Sequence, residues 1–445
     1  MSQSKTNIDS IRTANADLAK SMYNVSGKGI TVLIEEGGKI RDTHQELQGR
    51  VTLHSSISHT GYDDHATHVA GTIGATGVLS NAIGFAPECN LLSYMFGTLP
   101  VTPNEFAKET DNIHISNHSY TYIHGYKHVN HPDDTGAYRV FTCMADWNYF
   151  RTSYDPNRDQ SEFAYLGKYN NVTRNIDQVI TNAPTVLCVW SAGNDNEVTA
   201  FEPLGEVTVG GETFLDPICL YDTVQKEHLR STHVVNGKRE FYENGITYVI
   251  PAGNWGPEDY DLLSYPQVSK NVLTVGSIMD VTEHPITQDP DAYISHFSSR
   301  GPTDDGRVKP DLVANGETLL SCAANSDNGY TTYSGTSMAA PSVAGCAALI
   351  YEHYRNVVAD AAYRVDSGTL KALMLANAFR NEKPPNYFTG YGIVDVNASL
   401  EFLSNWGNTN FDNENYVYLG EHTYNGDGAV DAIEVYPKNL GEKVS

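Results

Sequence analysis

Short apolar runs of strand length alternate along this chain with stretches of helical periodicity. The strand-like runs are ITVLI (30–34), NLLSYM (90–95), IHIS (113–116), TVLCVW (185–190), ITYVI (246–250) and NVLTVGSI (271–278). Helical patterns lie at 65–75, 173–180, 336–354 and 367–378. Strands separated by helices favour a mostly parallel sheet that is covered by helices on both faces. The pattern therefore predicts an α/β fold.

Charge and hydropathy exclude several classes of partner. Asp and Glu outnumber Lys and Arg by 54 to 29, which gives a formal net charge of −25 over 445 residues. Such an acidic chain is not expected to bind nucleic acid or an anionic membrane. The sequence has no apolar run of about eighteen residues, so no bilayer-spanning helix is predicted.

Two features bear on the compartment. The first twenty residues are polar and lack the apolar core of a signal peptide, so the protein is either cytoplasmic or a mature chain whose leader was removed. The cysteines are scattered without a C-x-x-C pair, and several sit in apolar runs, which favours buried, reduced thiols. They are Cys89, Cys143, Cys188, Cys219, Cys322 and Cys346.

The segment YSGTSMAAPSVAG (333–345) places a serine at the start of an Ala-rich helix. A helix N-terminus offers unpaired N–H groups and the positive end of the helix dipole. An oxyanion that forms beside Ser337 could therefore accept its backbone N–H, and the small neighbours let a substrate chain approach. The competing interpretation is an ordinary serine helix cap.

The segment GYDDHATHVAGTIGA (61–75) places His65 at the start of a second helix of small residues. An imidazole there can present one ring nitrogen to a nucleophile and the other to an acid. His68, about one turn further along, is predicted to pack within the structure instead.

Together with three further segments, these motifs resemble the subtilisin-like serine proteases, in which acid, His and Ser follow in this order. The matching segments are ITVLIEEGG, HATHVAGTIGA, SAGNDN, FSSRGPTDDGRVKPDLVANG and SGTSMAAPSVAG. The resemblance covers about residues 25–403, and GYGIVDVNASL (390–400) is similar to the closing segment of the family. The likeness is greatest to the branch that carries a β-sandwich after the catalytic domain.

This resemblance implies a three-layer subtilisin-like fold, with a short β segment after it. The implied domain division is an N-terminal extension (1–24), a catalytic domain (25–403) with a surface insertion at about 195–245, and the start of a C-terminal β module (404–445). The resemblance also implies peptide-bond hydrolysis through an acyl-enzyme, with Ser337 as nucleophile and His65 as general base and acid. The implied substrate-binding residues, from two facing walls of a channel, are Tyr94, Phe96, Gly97 and Ser119.

Two asparagines compete for the role of oxyanion donor. The family places this residue in an AGN motif at the end of a buried strand, and this chain has Asn194 in WSAGNDN and Asn254 in IPAGNWG. Asn194 needs only one right-handed crossover from the preceding strand and is favoured on that ground. Asn254 stays the alternative, because it leads more directly into the next segment of the family pattern.

The acid of the triad is expected at the end of the first strand, where the family has Asp and this chain has Glu35 and Glu36. Side chains alternate faces along a strand, so Glu36 continues the face of Ile34 and Glu35 points to the other face. In the family the apolar residues two, four and six before the acid share its face, so the resemblance implies Glu36, which follows Ile30, Val32 and Ile34 in this way. Glu35 has no assigned role. Asp42 is the rival acid, but it lies six residues further along the chain.

The predicted function is a serine endopeptidase with a Glu36–His65–Ser337 triad that acts on a protein or peptide substrate. The alternatives are a weakened or inactive peptide-binding relative and a processing protease with one partner. No cofactor is required for this chemistry. Structural Ca²⁺ stays open without assigned ligands, because no EF-hand spacing occurs. Oligomeric state is not predicted.

Overall fold

The computed structural model describes the side chains and backbone of most of the α/β region. The described residues are 6–54, 61–96, 112–121, 167–194, 262–281, 286 and 288–406, with backbone-only strands within 126–143 and 206–251.

A sheet of seven parallel strands forms the centre of the fold, which confirms the predicted α/β class. The strands are β1 (Thr31–Glu36), β2 (Val51–Leu53), β3 (Asn90–Met95), β4 (Ile115–His118), β5 (Leu187–Ser191), β6 (Leu273–Ile278) and β7 (Leu312–Asn315). Their spatial order is β7-β6-β5-β4-β1-β3-β2. The two edge strands, β2 and β7, are short, and neither is among the strands predicted from the sequence.

One predicted strand lies outside this sheet. The run ITYVI (246–250) forms the strand Ile246–Pro251, which pairs antiparallel with Lys238–Glu243 in a separate three-stranded sheet. The sequence between the paired ends is Asn-Gly, a dipeptide typical of two-residue hairpin loops. This run therefore pairs with its neighbour in the sequence and does not join the parallel sheet.

The helices flank the sheet, and all four predicted helices are present. The α-helices of the described residues are α1 (Asn7–Thr13), α2 (Ala16–Tyr23), α3 (Asp64–Gly74), α4 (Asn171–Thr181), α5 (Thr336–Val358), α6 (Ser367–Ala376) and α7 (Val396–Trp406). The four predicted helices are α3 to α6. The helices α1 and α2 lie in the predicted N-terminal extension and bury Ile11 and Ala19 in the main core. Helix α7 runs past residue 404, and the rest of the predicted β module lies outside the described residues.

The two faces of the sheet bury different sets of side chains. Val32 and Ile34 of β1 belong to the large core that includes α3 and α5. Leu33, between them, belongs to the smaller core on the opposite face, together with Trp190 and Ile180 of α4. Alternation along β1 therefore sends Glu36 toward α3 and α5, and sends Glu35 toward the face covered by α4.

Two insertions leave the α/β region beside the ends of central strands, after residue 121 and after residue 194. Strands 126–129 and 140–143 of the first insertion join strands 220–222 and 227–229 of the second in one four-stranded sheet. The segment VTVGGETF lies in an antiparallel hairpin of strands 206–209 and 212–215, as its sequence suggests. Only the second insertion has a counterpart in the sequence analysis.

Four of the six cysteines lie in the described part of the chain with side chains, and all four are buried free thiols: Cys89, Cys188, Cys322 and Cys346. Burial raises the pKa of the Cys188 thiol to about 12. Within the same part of the chain, none of the helices combines the length and the apolar character needed to cross a membrane.

A buried ion cluster ties β6 to β7 and α6. The ammonium of Lys309 lies 2.5 Å from a carboxylate oxygen of Asp311, and Lys371 lies 3.0 Å from the other oxygen. Lys309 and Asp311 are almost completely buried. Asp311 also accepts the backbone N–H of Thr274, while Lys309 donates to the carbonyl of Val272. This carboxylate therefore compensates two cations and a backbone donor at once.

We expect Asp311→Ala to destabilise the protein by about 3–5 kcal/mol, because it leaves a buried ammonium without its counter-ion. Urea unfolding would measure the change in the free energy of unfolding. The control is Asp305→Ala, which removes an ion pair with Arg307. The Asp305 side chain is 44% exposed and that of Arg307 is 26% exposed, so the loss in the free energy of unfolding should be much smaller. Equal losses in the two variants would contradict this account of the cluster.

Candidate active site

The ends of two parallel strands and the starts of two helices meet at one edge of the sheet, the edge at which open α/β sheets place their ligand sites. Glu36 is the last residue of β1, and Asn194 follows β5 by three residues. His65 and Ser337 are each the second residue of their helices, α3 and α5. Helix N-termini carry free N–H groups and a partial positive charge, which suits the stabilisation of developing negative charge.

The carboxylate of Glu36 holds the imidazole of His65. Oε2 of Glu36 lies 2.9 Å from Nδ1 of His65, a normal hydrogen-bond distance. The Glu36 side chain is 3% exposed, whereas that of His65 is 37% exposed. The buried acid thus fixes one ring nitrogen of a histidine that is still open to solvent.

Gly38 allows β1 to approach the start of α3. A Cβ atom at this position would lie 2.6 Å from the Cβ of Asp63, a distance that real structures essentially never show. Asp63 is the N-cap of α3 and accepts the backbone N–H of Ala66. The absence of a side chain at Gly38 thus leaves room for the cap of the helix that carries His65.

Burial and the neighbouring charges set the protonation of the pair. Burial raises the pKa of Glu36, and the charge of His65 and their hydrogen bond offset part of this effect. The other oxygen, Oε1, is buried and accepts no hydrogen bond from the described residues. Burial would lower the pKa of His65, but the attraction of Glu36, the hydrogen bond and the charge of Asp63 together raise it above 6.5. Glu36 therefore stabilises the imidazolium, the form that arises when a histidine takes a proton from a nucleophile, relative to a histidine without this partner.

His68 has a structural role, as its sequence position predicts. It is fully buried, and its Nε2 lies 2.9 Å from the backbone carbonyl of Leu319. Burial lowers the pKa of His68 to about 3, so its imidazole is neutral and donates this hydrogen bond.

Ser337 lies beside the predicted channel wall. Its hydroxyl donates to the backbone carbonyl of Ser119 at 2.9 Å and, within the described part of the chain, not to His65. Attack on a substrate would require the hydroxyl to exchange this acceptor for Nε2 of His65. Hydrogen bonds of catalytic groups are often looser before substrate binds.

The amide of Asn194 faces the start of α5. Its Oδ1 accepts both the backbone N–H and the hydroxyl of Thr336, each at 2.9 Å. The oxygen is thereby engaged, and Nδ2 is the donor left for a ligand. A Cβ atom on Gly335 would lie 3.3 Å from this Nδ2 and 3.7 Å from the backbone N of Ser337. The side-chain amide of Asn194 and the backbone N–H of Ser337 therefore border the same space, and that space stays empty because residue 335 has no Cβ atom. The backbone φ of 154° at Gly335 also favours glycine.

The remaining sequence predictions fall at different places. Asp42 accepts a hydrogen bond from the hydroxyl of Tyr62 at 3.2 Å, whereas the carboxylate that hydrogen-bonds to His65 is that of Glu36. Asn254 and Gly97 lie outside the described residues. The sequence analysis has no role for Thr336, although it orients Asn194; its place directly before Ser337 is the one signal that could have indicated it.

Three of the predicted substrate-binding residues are described. Ser119 contributes the backbone carbonyl that contacts Ser337. Tyr94 is 8% exposed, packs in the smaller core and stacks on His54 at 4.5 Å, so only its backbone is available to a substrate. Phe96 is 45% exposed and is the aromatic side chain that this wall presents to solvent.

The residues that the structure describes hold no cluster of three or more His, Cys, Asp or Glu suited to a metal ion, and ligands for Ca²⁺ stay unassigned. The buried carboxylate of Glu46 illustrates the reason. It accepts backbone N–H groups of residues 77–79 and the hydroxyls of Thr76 and Tyr330. Its lone pairs thus face protein donors, whereas a calcium ligand must offer them to the ion.

Comparisons with known proteins identify the family of the chain. The subtilase family model, Peptidase_S8, matches residues 14–217 and 221–394. Serine protease AprX of Bacillus subtilis (strain 168) is 33% identical over 192 residues, which are 40% of each chain. Pyrolysin of Pyrococcus furiosus is 27% identical over 267 residues, which are 54% of this chain and 19% of pyrolysin. The chain thus spans less than half the length of these relatives.

The fold also has a counterpart among solved structures. The CspB protease of Clostridium perfringens superimposes with a TM-score of 0.55 and 19% identity, covering 89% of this chain and 99% of that one. At this identity the match concerns the fold alone, and it agrees with the seven-stranded parallel sheet. Because the family model covers well over half of the sequence, the chain belongs to the subtilase family of serine proteases.

Proposed function

We propose that this protein is a serine endopeptidase that cleaves peptide bonds through an acyl-enzyme, with Glu36, His65 and Ser337 as its catalytic residues. The observation that carries the proposal is the 2.9 Å hydrogen bond between buried Glu36 and His65, at the same strand edge as Ser337. A glutamate can replace the aspartate that the family has here, because either carboxylate can orient the imidazole and stabilise its charged form.

The steps follow from these groups. The Oγ of Ser337 attacks the substrate carbonyl carbon while Nε2 of His65 takes the hydroxyl proton. The oxyanion accepts the backbone N–H of Ser337 and Nδ2 of Asn194. His65 then passes the proton to the leaving amine, and the C–N bond breaks to leave an acyl ester on Ser337. Water attacks this ester with His65 as base, which releases the acid and restores the hydroxyl.

Labelling with a fluorophosphonate probe tests the proposal directly. We expect the probe to modify Ser337 of the folded protein at neutral pH and casein to be hydrolysed, because the activated hydroxyl attacks phosphorus as it attacks a carbonyl. Ser337→Ala is the control and should show neither reaction. A folded wild-type protein that takes up no probe would support the inactive peptide-binding alternative instead.

The assignment of the oxyanion donor predicts that Asn194→Ala lowers kcat by about 10²–10³-fold, the size of effect known for removing one such donor from a serine protease. KM should change little, because the donor acts on charge that develops in the transition state. Steady-state kinetics with a peptide amide would measure both constants. Asn254→Ala is the matched control, and its kcat should equal that of the wild type. A loss of kcat in Asn254→Ala but not in Asn194→Ala would assign the oxyanion donor to Asn254 instead.

The fit of Glu36 predicts that the family residue is the worse one at this position. Glu36→Asp withdraws the carboxylate by one C–C bond, about 1.5 Å, from a hydrogen bond that is already 2.9 Å long. We expect kcat/KM to fall at least tenfold, measured with the same peptide amide. Asp42→Asn, which removes the charge of the rival acid, should leave kcat/KM unchanged. An aspartate variant as fast as the wild type would contradict the proposed role of side-chain length.

A further inference from the structure

Glu35 is the second-to-last residue of β1, on the face opposite Glu36, and is also buried, at 5% exposure. Its Oε2 accepts a hydrogen bond from the hydroxyl of Tyr120 at 2.6 Å and lies 3.3 Å from Nδ1 of His118. Burying a carboxylate carries a desolvation cost that such contacts must offset. The protein therefore holds a second buried Glu–His pair, whose glutamate directly precedes Glu36 in the chain.

The histidine of this pair is held in a fixed orientation. Its Nε2 lies 2.7 Å from the hydroxyl of Ser116. Its ring stacks on the indole of Trp190, with centroids 4.0 Å apart and planes 8° from parallel. His118 faces Glu35 in the pairing of β4 with β1, so the strand register itself brings the two side chains together.

Tyr120 connects this cluster to the channel. Its hydroxyl donates to Glu35 at 2.6 Å and also lies 3.2 Å from Nδ1 of His118. Its backbone carbonyl accepts the indole N–H of Trp190 at 2.7 Å and the amide of Gln267 at 3.3 Å. The residue before it, Ser119, contributes the carbonyl that contacts Ser337. Hydrogen bonds at both ends of Tyr120 thus set the position of the wall next to Ser337.

The ring of Tyr120 also reaches the other wall. It meets the exposed ring of Phe96 edge to face, with centroids 4.3 Å apart. Phe96 in turn lies against Gly37, where a Cβ atom would be 3.3 Å from the aromatic ring. The two walls therefore meet through one aromatic pair, and the tyrosine of that pair is held by Glu35.

We propose that Glu35 is a positioning residue for the substrate channel: by holding the Tyr120 hydroxyl, it keeps the Ser119–Tyr120 wall against Phe96 and in register with Ser337. This inference rests on the proposed function. Glu35 acts through Tyr120 and does not touch the reacting atoms. It therefore contributes to the binding of an extended peptide and not to the reactivity of Ser337 toward a small reagent.

Tyr120→Phe and Glu35→Ala test this role in the full-length protein. We expect each to raise KM for an extended peptide amide about tenfold, the effect of losing a hydrogen bond to a buried charged group, with kcat nearly unchanged. The rate of Ser337 labelling by a small fluorophosphonate should stay within about twofold of the wild type. Glu35→Gln should restore most of the affinity, because its amide oxygen can accept the Tyr120 hydroxyl.

The matched control is Tyr330→Phe. It removes another tyrosine hydroxyl from another buried glutamate, Glu46, at a similar 2.7 Å distance but without contact to either channel wall. Its KM should equal that of the wild type. Tyr120→Phe removes a single oxygen atom and keeps the test available even if Glu35→Ala does not fold.

The outcomes separate the two claims. Normal probe labelling with an unchanged KM in Tyr120→Phe would overturn the role of Glu35, as would a parallel loss of labelling and peptide hydrolysis. Absence of labelling in the wild type would contradict the proposed function itself.

Discussion

The buried hydrogen bond between Glu36 and His65 is the interaction on which the site depends. A carboxylate at the end of an apolar strand is costly to bury, and this one has its Oε1 without a hydrogen-bond partner among the described residues. Its compensation comes from the imidazole at 2.9 Å. The acid and the base therefore stabilise each other, and each shifts the pKa of the other toward the charged pair. Gly38 makes the contact possible by letting β1 reach the cap of α3.

The rest of the site is arranged around the N-terminus of α5. The side-chain oxygen of Asn194 accepts two hydrogen bonds from Thr336, so its side-chain nitrogen lies next to the backbone N–H of Ser337. Gly335 keeps this space empty, and its backbone conformation is one that other residues avoid. Preorganised donors of this kind stabilise charge without having to move during the reaction. In the proposed mechanism the same small segment therefore contributes the nucleophile, one oxyanion donor and the orientation of the other.

Strand alternation predicts more of this site than composition does. The sequence alone separates Glu35 from Glu36, because Glu35 lies on the same face of the strand as Leu33 and Glu36 lies on the face of Ile34. Sheet membership favours Asn194 for a reason that the sequence only suggests: β5 lies in the central sheet, whereas the strand before Asn254 pairs with a local hairpin partner.

The partners of Glu35 could not be predicted in this way. They depend on the register between β1 and β4, which places His118 opposite Glu35, and on the path of the chain after β4, which turns Tyr120 back over the sheet. The acceptor of the Ser337 hydroxyl likewise depends on side-chain rotation and not on sequence spacing. Such contacts form only when separate elements pack together, so no local sequence pattern predicts them.

An NMR titration of His65 in selectively ¹⁵N-histidine-labelled protein tests the central claim most directly. The account predicts that the pKa of His65 lies above its ordinary value of 6.5 and falls in Glu36→Gln, which removes the neighbouring charge. Loss of charge at Glu36 should thus leave His65 neutral at a pH where the wild type is still protonated. An identical His65 pKa in the two proteins would contradict the pairing of Glu36 with His65.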